Sequence, residues 1–464
     1  MTRAFLEAEQ YIDGIPKFVK KNTMRDTKDF YRKLLCPCRK TKVIHVAGTN
    51  GKGSVCAYLQ SVLMEAGYRT GMFTSPHLVD IRERIRVDHE LISEEDFVEV
   101  FRQVRELCGV EAGQGFGGEM GSADAEELSG PGAEEMRSGY HPSYFEYLYF
   151  MAMLYFEKKQ PDFIILETGL GGRLDATNSF ESPCICIIAE IGLDHTEYLG
   201  ETLEAIAAEK AGIVKKGIPF VYFAKNKTVS DVFEKTAKKA ETRAFSVKPE
   251  EICLKNYGEK GIDFSYYSGY YKYNTFHLSG AALYQAENAA LSIRALAVLG
   301  EQKLAEISDE NLRRGLEKAR WEGRMEEVLP GVWIDGAHNA DGVEAFLKSV
   351  RADKSGSRRV LLYSSLAEKA CGEMTGAIKD SGLFEEIVVT KIENCRAAGT
   401  AFLAALFGER NVRIIEDAGE AFAYCLSRRA EGRKVYITGS LYLAGRIKAL
   451  MKADKGAMAG RRIV

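Results

Sequence analysis

Short apolar runs, each followed by a turn and then by a helical pattern, recur through the first half of the chain. They lie at residues 43–47, 69–73, 162–167, 184–191 and 218–223. Strands that alternate with helices are typical of βαβ units, in which neighbouring strands run parallel and helices cover the sheet. The pattern therefore predicts an α/β fold built on a parallel sheet with helices on both faces.

The same alternation begins again after Arg324. Strand-like segments separated by helical stretches follow there, and they read VWID, RRVLLY, FEEIVV, NVRII and RKVYIT. Since 464 residues exceed the length at which a single core usually stops growing, a second domain is expected. We predict an N-terminal P-loop-type parallel-sheet domain at 1–322 and a smaller, Rossmann-like α/β domain at 323–464.

Three segments depart from this alternation. Residues 245–280 carry Tyr, Phe and Lys in roughly alternating order, which favours an antiparallel ribbon, and residues 281–320 have a helical pattern. Residues 109–139 contain nine glycines and seven acids against one arginine. Such a segment buries too little apolar surface to offset the entropy of ordering, so we expect a mobile surface insertion.

Composition and charge narrow the classes of partner. The chain has 46% hydrophobic and 28% charged residues with a net charge of -3, which gives no general attraction for nucleic acid or an anionic membrane. No segment is long and apolar enough to span a bilayer, so we expect a cytoplasmic protein. The closest cysteine pairs, Cys36 with Cys38 and Cys184 with Cys186, lack the C-x2-C spacing of zinc sites and are interpreted as reduced thiols.

The stretch VIHVAGTNGKGSV at residues 43–55 resembles a phosphate-binding turn. An apolar strand leads through Gly48, Gly51 and Gly53 into a helix, with Lys52 as a point charge among the backbone N–H groups. The stretch departs from the general G-x-x-x-x-G-K-[ST] pattern, because valine occupies the first glycine position and a glycine follows the lysine. A plain glycine-rich turn remains the alternative.

Lys210 lies on a helical face that is otherwise apolar. It shares that face with Leu203, Ile206, Ala207 and Val214. Burial lowers the pKa of an ammonium group, and the neutral amine could capture carbon dioxide as a carbamate. The alternative is a lysine that extends outward to solvent.

Two acidic residues also allow more than one interpretation. Glu146 is the only charged residue between Tyr144 and Phe156, and it is either a metal ligand or the second half of a capping box that begins at Ser143. Asp335 ends the strand VWID and precedes GAHNADG, where an acid can accept ribose hydroxyls. That segment could equally be a turn with a helix cap.

Eight motifs together resemble one family. GTNGKGS, FTSPHLVDIRERI, LETGLGGRLDATN, IGLDHTEYLG, EKAGIVKKGIP, WEGRMEEV, IDGAHNADG and TGSLYLAGRIK occur between about residues 40 and 447 in the order seen in folylpolyglutamate synthases. That family includes dihydrofolate synthases and is similar to the Mur-type amino-acid ligases. The resemblance implies ATP-dependent joining of a folate carboxylate to the amine of L-glutamate.

The resemblance also implies the residues of the site. Its metal ligands correspond to Ser75, Glu146 and His195, which suit Mg²⁺ and leave room for Mn²⁺. Two metal sites are implied, the second beside a carbamylated Lys210. Catalytic roles fall to Lys52, Lys210 and His195. Together with the glycine loop, the resemblance implies nucleotide binding by Thr49, Asn50, Gly51, Lys52, Gly53, Ser54, Asn288, Arg324, Asp335 and His338.

Four further residues lie in the segments around Ser75 and His195. His77, Arg82, Arg84 and Asp194 are expected near the cleft, although the two arginines could form a solvated face paired with Glu83.

The chain could instead be a Mur-type ligase for another acid, or a nucleotide-dependent switch without ligase activity. The sequence leaves open whether dihydropteroate is also a substrate. We expect small-molecule partners and, from the family, a monomer that closes over its substrates to shield an acyl phosphate from water.

Overall fold

The computed structural model describes residues 1–16, 22–109, 140–259, 261–267, 274–367, 370–408 and 411–460. Most of the predicted insertion at 109–139 lies outside the described residues, so the prediction of its mobility stays a prediction. None of the described helices is long and apolar enough to cross a membrane.

An eight-stranded sheet forms the N-terminal part. Its spatial order is β4-β3-β2-β5-β1-β6-β7-β8, and all neighbours pair in parallel except at the β2-β3-β4 edge. The strands are β1 (Lys42–Ala47), β2 (Thr70–Phe73), β3 (Ile85–Val87), β4 (Glu90–Leu91), β5 (Phe163–Glu167), β6 (Ile185–Ile188), β7 (Phe220–Phe223) and β8 (Ala244–Val247).

Helices cover both faces of this sheet because the residues of its buried strands alternate between two hydrophobic clusters. Val43 and Ile164 pack on one side, whereas Ile44 and Ile165 pack on the other. The helices are α1 (Arg3–Asp13), α2 (Met24–Lys33), α3 (Lys52–Glu65), α4 (Glu94–Leu107), α5 (Tyr144–Lys159), α6 (Thr196–Leu199), α7 (Leu203–Ala211), α8 (Lys227–Lys239), α9 (Gln285–Glu301) and α10 (Asp309–Lys318), with short 3-10 turns at Ile81–Arg84, Ala176–Ser179 and Pro249–Glu251.

The predicted ribbon is a three-stranded antiparallel sheet, formed by β9 (Ile252–Gly258), β10 (Gly261–Tyr266) and β11 (Asn274–Ser279). Apolar residues on one face of β10, Ile262 and Phe264, join the same cluster as helix α9. The ribbon therefore packs onto the N-terminal core.

A six-stranded sheet with the order β12-β13-β17-β14-β15-β16 forms the C-terminal part, and it is parallel except for β12. Its strands are β12 (Glu326–Leu329), β13 (Val332–Ile334), β14 (Arg359–Tyr363), β15 (Glu386–Val389), β16 (Val412–Ile414) and β17 (Lys434–Thr438). Its helices are α11 (Ala340–Ala352), α12 (Cys371–Asp380), α13 (Thr400–Phe407), α14 (Ala418–Ala430) and α15 (Leu441–Gly460). The predicted fold class, a large parallel sheet followed by a smaller α/β sheet, is confirmed.

Candidate active site

The glycine loop follows strand β1 and leads into helix α3. It lies at the carboxyl edge of the sheet, where parallel sheets bind ligands. Gly51 has φ +83°, a left-handed conformation, and caps the helix without any side-chain hydrogen bond. The N–H groups of the first helical turn are thus left for another acceptor, and an anion fits there. Lys52 Nζ folds back and donates to the carbonyl oxygens of Gly48 (2.9 Å) and Thr49 (3.1 Å).

The loop is packed tightly against helix α9 and the segment before β12. A Cβ atom on Gly51 would lie 2.2 Å from Asn288 Oδ1, and one on Gly53 would lie 2.7 Å from the Trp321 ring. Asn288 Nδ2 donates to Gln285 Oε1 (3.1 Å), and Gln285 Nε2 donates to the buried Ser54 Oγ (3.1 Å). Helix α9 therefore fixes the loop by direct contact.

Thr49 and Asn50 join the loop to the segment after strand β6. The backbone N–H of Thr49 donates to Glu190 O (2.7 Å), and Thr49 Oγ1 donates to Gly192 O and accepts from the Gly192 N–H, both at 3.1 Å. Asn50 exchanges side-chain hydrogen bonds with Asn339 of the C-terminal part, at 3.1 and 3.4 Å. The loop is thus one place where the N-terminal and C-terminal parts meet.

Glu167, at the end of strand β5, supplies the carboxylate beside Ser75. Its side chain is 2% exposed and accepts from the Ser75 backbone N–H (2.9 Å). Burial raises the pKa of Glu167, while the charges of Lys52, Arg324 and Arg84 and the Ser75 hydrogen bond act in the opposite direction. A buried acid with one hydrogen-bond donor and several cations around it has room for a further positive partner.

Glu146, the predicted metal ligand, occupies a different environment. Its carboxylate accepts from the Ser143 backbone N–H (2.8 Å), Asn22 Nδ2 (2.7 Å) and Thr27 Oγ1 (2.6 Å), and the capping box is formed. Within the described part of the chain it makes no hydrogen bond to Ser75. The structure supports the capping alternative, because these donors already satisfy the carboxylate.

Lys210 lies in the interior next to the glycine loop. The side chain is 4% exposed and its Nζ donates to Gly48 O (2.8 Å), the same carbonyl that Lys52 contacts. Burial, and then the charge of Lys52, lowers the pKa of Lys210 to about 7, against the opposing effect of Asp194 and Asp175. Burial thus favours the neutral, nucleophilic form of this amine.

His195 and Asp194 follow strand β6 and face the C-terminal part. Asp194 Oδ2 accepts from Asn339 Nδ2 (3.1 Å), and the half-exposed His195 ring lies 3.9 Å from Asp194 Oδ1. Burial raises the pKa of Asp194, but the charges of His195 and His338 and the Asn339 hydrogen bond outweigh it and hold the pKa below its usual value.

The nucleotide residues predicted at the domain junction lie near one another. Asp335 is 2% exposed and accepts from the Tyr284 hydroxyl (2.6 Å) and from the backbone N–H groups of Met325 (2.9 Å) and Ala337 (2.8 Å). Burial raises its pKa against the charge of Arg324. His338 Nδ1 lies 2.8 Å from Gly336 O. Asp335 therefore holds the turn, as the alternative interpretation of DGAHN required.

Two clefts open beside the loop. The Ser75 cleft, of 330 Å³, is lined by Gly53, Ser75, Glu167, Arg324 and Leu441 among others. The His195 cleft, of 1100 Å³, is lined by residues that include Asp194, His195, Lys225, His338, Asn339 and Arg396. Each cleft is lined by residues from both the N-terminal and the C-terminal part, but the predicted ligands Ser75 and His195 line different clefts.

The segment after Ser75 is organised by one acid. Glu83 accepts from the backbone N–H groups of Leu78, Val79 and Asp80, and Arg82 pairs with Asp80 (2.7 Å). Arg84 instead points inward, and its Nε donates to His77 Nδ1 (2.8 Å). The two arginines do not form a common solvated face.

Sequence reasoning missed the roles of Glu167, Gln285 and Asn339. Glu167 had a readable signal, because it ends a buried strand immediately before a glycine turn at the carboxyl edge of the sheet. Gln285 and Asn339 had no readable signal in the sequence, because each forms its hydrogen bond with a residue more than 200 positions away.

Comparisons with known proteins agree with this architecture. A model of the Mur ligase middle domain matches residues 131–296, and a model of the Mur ligase glutamate ligase domain matches residues 323–441. The second match covers the C-terminal sheet and the junction that contains Arg324 and Asp335.

Whole proteins match over nearly the full chain. The dihydrofolate synthase/folylpolyglutamate synthase of Bacillus subtilis is 35% identical over 97% of this chain and 100% of its own length. A Mycobacterium tuberculosis folylpolyglutamate synthase complexed with ADP is 26% identical, with a TM-score of 0.81 over 96% of this chain and 98% of that one. An FPGS-AMPPCP-folate complex is 25% identical, with a TM-score of 0.79 over 96% and 99% of the two chains. The chain belongs to the folylpolyglutamate synthase/dihydrofolate synthase family of the Mur ligases.

Proposed function

We propose that this protein is an ATP-dependent ligase that joins L-glutamate to folate or to a folyl-glutamate. The observation that carries the proposal is the convergence of the uncapped glycine loop, Ser75 and the buried Glu167 on a cleft shared with Arg324 of the junction. The relatives support the substrates, since one is a complex with ADP and another with AMPPCP and folate.

The glycine loop binds the phosphates of ATP. The free N–H groups at the start of helix α3 donate to phosphate oxygens. Lys52 exchanges its hydrogen bonds to the carbonyl oxygens of Gly48 and Thr49 for hydrogen bonds to the phosphates. Asn288 contacts the loop, Arg324 lines the same cleft as Gly53, and the charge of Arg324 acts on Asp335, which supports a role for these three residues in binding the rest of the nucleotide.

The residues beside the loop fit a divalent cation. Among the described residues no three His, Cys, Asp or Glu side chains form a metal cluster. Mg²⁺ is commonly bound by one or two carboxylates with substrate phosphates and water, and Glu167 with the Ser75 hydroxyl fits that pattern. We infer that Glu167 takes the metal-binding role that the resemblance implies for Glu146. Bound there, the cation would neutralise charge on the phosphates.

We also propose that Lys210 is carbamylated. Its pKa of about 7 and its place beside the loop supply a neutral amine where a second acidic ligand would be useful. Carbon-13 NMR with labelled bicarbonate tests this. A carbamate signal in the native protein that disappears in Lys210→Met supports the modification, and equal spectra contradict it.

The chemistry then proceeds in two balanced steps. A carboxylate oxygen of the folate substrate attacks the γ-phosphorus of ATP, which forms an acyl phosphate and releases ADP. The amine of glutamate attacks the acyl carbon, loses a proton and displaces phosphate, which leaves an amide. The protein mainly positions the reactants and stabilises charge.

One chain contains both halves of the site, because residues of the N-terminal and the C-terminal parts line each cleft. We therefore propose that a monomer is the active unit, and light scattering of the active enzyme measures this. A dimer as the smallest active species would contradict it.

A mass-resolved ligation assay tests the function. Purified protein with MgATP and L-glutamate receives tetrahydrofolate monoglutamate in one reaction and dihydropteroate in another. Products heavier by one or more glutamyl units, with stoichiometric ADP, are expected in the first reaction. Failure to ligate with either acceptor, although ATP binds, would refute the folate assignment.

A second activity has one observation in its favour. The Bacillus subtilis relative is named both dihydrofolate synthase and folylpolyglutamate synthase. Ligated product from dihydropteroate would make this chain bifunctional as well.

A further inference from the structure

Helix α15 of the C-terminal part has one face that lies against the N-terminal part. Leu441 lines the Ser75 cleft, and Gly445, one turn further along the helix, contacts Leu78, which lines the same cleft. After another turn, the buried Lys448 pairs with two glutamates of the junction, at 2.6 and 2.8 Å. Because positions three and four residues apart lie on one side of a helix, these three residues form a single face that borders the cleft.

The contact at Gly445 depends on the absence of a side chain. A Cβ atom on Gly445 would lie 2.1 Å from Leu78 O and 3.1 Å from Leu78 C, and the first distance is too short for non-bonded atoms. The Leu78 side chain packs against the hydrophobic cluster that contains Leu443 and Ile447 of the same helix. Leu78 thus belongs to the N-terminal part by its place in the sequence, but it packs with the C-terminal part.

The Leu78 carbonyl cannot turn away from the helix without the loss of a hydrogen bond. The buried Glu83 accepts from the backbone N–H groups of Leu78 (2.8 Å), Val79 (3.2 Å) and Asp80 (3.0 Å). The carbonyl of Leu78 and the N–H of Val79 belong to one planar peptide group, so rotation of the carbonyl would break the hydrogen bond from Val79 to Glu83. A side chain at position 445 would therefore move helix α15 and the Leu78 segment apart.

We propose that Gly445 is a positioning residue for ligation, because its missing side chain lets helix α15 contact Leu78 and narrow the Ser75 cleft. This inference rests on the proposed function. In a wider cleft, water reaches the acyl phosphate and attacks the acyl carbon, which displaces phosphate, releases a proton and regenerates the carboxylate. ATP is then consumed without the formation of an amide.

The test measures ADP and ligated product together, with MgATP, L-glutamate and tetrahydrofolate monoglutamate. The native enzyme is compared with Gly445→Ala and with the matched control Gly376→Ala. Both glycines lie inside helices, and a Cβ atom on Gly376 of helix α12 would meet nothing within 4 Å. Since alanine favours a helix more than glycine does, a loss seen only in Gly445→Ala reports the contact with Leu78.

In Gly445→Ala, kcat for ligation should fall by roughly 10- to 100-fold, because a small displacement misaligns the reactants. The ratio of ADP to ligated product, about one in the native enzyme, should rise severalfold as water competes with glutamate. Gly376→Ala should keep the native kcat and the native ratio. A loss of folded enzyme lowers both products equally, so the ratio distinguishes positioning from a purely structural role.

Lys448→Met changes the same helical face without a steric clash. It removes the ion pairs with Glu322 and Glu326 and keeps a long side chain. The ratio of ADP to ligated product should rise in this variant as well, by less than in Gly445→Ala. Circular dichroism establishes that each variant is folded, and Lys448→Met decides the question if Gly445→Ala does not fold.

Three results would overturn the inference. The first is a folded Gly445→Ala enzyme with native kcat and a native ratio of ADP to product. The second is a lower kcat with the ratio unchanged, because the acyl phosphate would then be shielded as before. The third is an unfolded Gly445→Ala together with a native ratio in Lys448→Met. Absence of ligation by the native enzyme would refute the proposed function itself, and this role with it.

Discussion

Two buried glutamates show that the role of a residue follows from its partners and not from its burial. Glu146 is 7% exposed and Glu167 is 2% exposed, so burial does not distinguish them. Four protein donors satisfy Glu146, whereas Glu167 has a single backbone donor and several cations nearby. The first completes a helix cap, and we propose that the second binds a ligand.

Replacing each glutamate by glutamine should therefore give opposite results. Glu167→Gln removes the negative charge beside the loop, so ligation should fall on the order of 100-fold or more and need more Mg²⁺. Glu146→Gln should lower the free energy of unfolding by about 1–2 kcal/mol, because it weakens the cap. Steady-state assays across a Mg²⁺ titration and urea unfolding measure the two effects. A higher Mg²⁺ requirement in Glu146→Gln alone would reverse these assignments.

At the scale of elements, helix α3 has left-handed glycines before and after it. Gly51 (φ +83°) precedes the helix, and Gly67 (φ +87°) lies just beyond its end. The surroundings differ, since a Cβ on Gly51 would meet Asn288 at 2.2 Å while nothing lies within 4 Å of one on Gly67. Both glycines thus have a left-handed backbone conformation, but only Gly51, in the glycine loop, has a side chain close to it.

Alanine at these two positions should separate backbone strain from loop geometry. Both Gly51→Ala and Gly67→Ala should cost about 1–2 kcal/mol of stability, because an L-residue is forced into the left-handed region. Only Gly51→Ala should also raise KM for ATP, by roughly 10-fold or more, since Asn288 and the loop must move apart. Calorimetry and ATP-dependent kinetics check this. An equal KM in both variants would show that the contact with Asn288 has no effect on nucleotide binding.

At the scale of the whole molecule, Asn339 joins the two sheets at the active site. Its Oδ1 caps helix α11 by accepting from the Gly342 N–H (2.8 Å). Its Nδ2 donates to Asn50 Oδ1 and Asp194 Oδ2, both at 3.1 Å. One side chain thus serves both the local helix and the contact between the parts of the protein.

Asn339→Asp should keep the cap and break the contact. The new carboxylate can still accept from Gly342, but it cannot donate, and it repels Asp194. Because closure shields the acyl phosphate, we expect kcat to fall by roughly 10-fold with only a small change in the unfolding transition. Small-angle scattering should show a larger radius of gyration. Native kcat in this variant would mean that closure does not depend on this contact.

The sequence by itself determined the elements and their class. Apolar runs such as Val43–Val46 are buried on both faces of the sheet, so their hydrophobic pattern predicts central parallel strands whatever their neighbours are. It also determined the glycine loop, because a left-handed turn into a helix needs glycine at that point in the chain. These properties are local, and a single sequence is enough to read them.

Only the tertiary structure decided how the side chains pair. It gave Ser75 a hydrogen bond to Glu167 and not to Glu146, turned Arg84 inward to His77, and brought Asn339 to Asn50 across 289 positions of sequence. A charged side chain carries no mark of whether its partner is a backbone amide, another side chain or a substrate. That choice depends on distances and burial, which exist only once the two sheets are packed together.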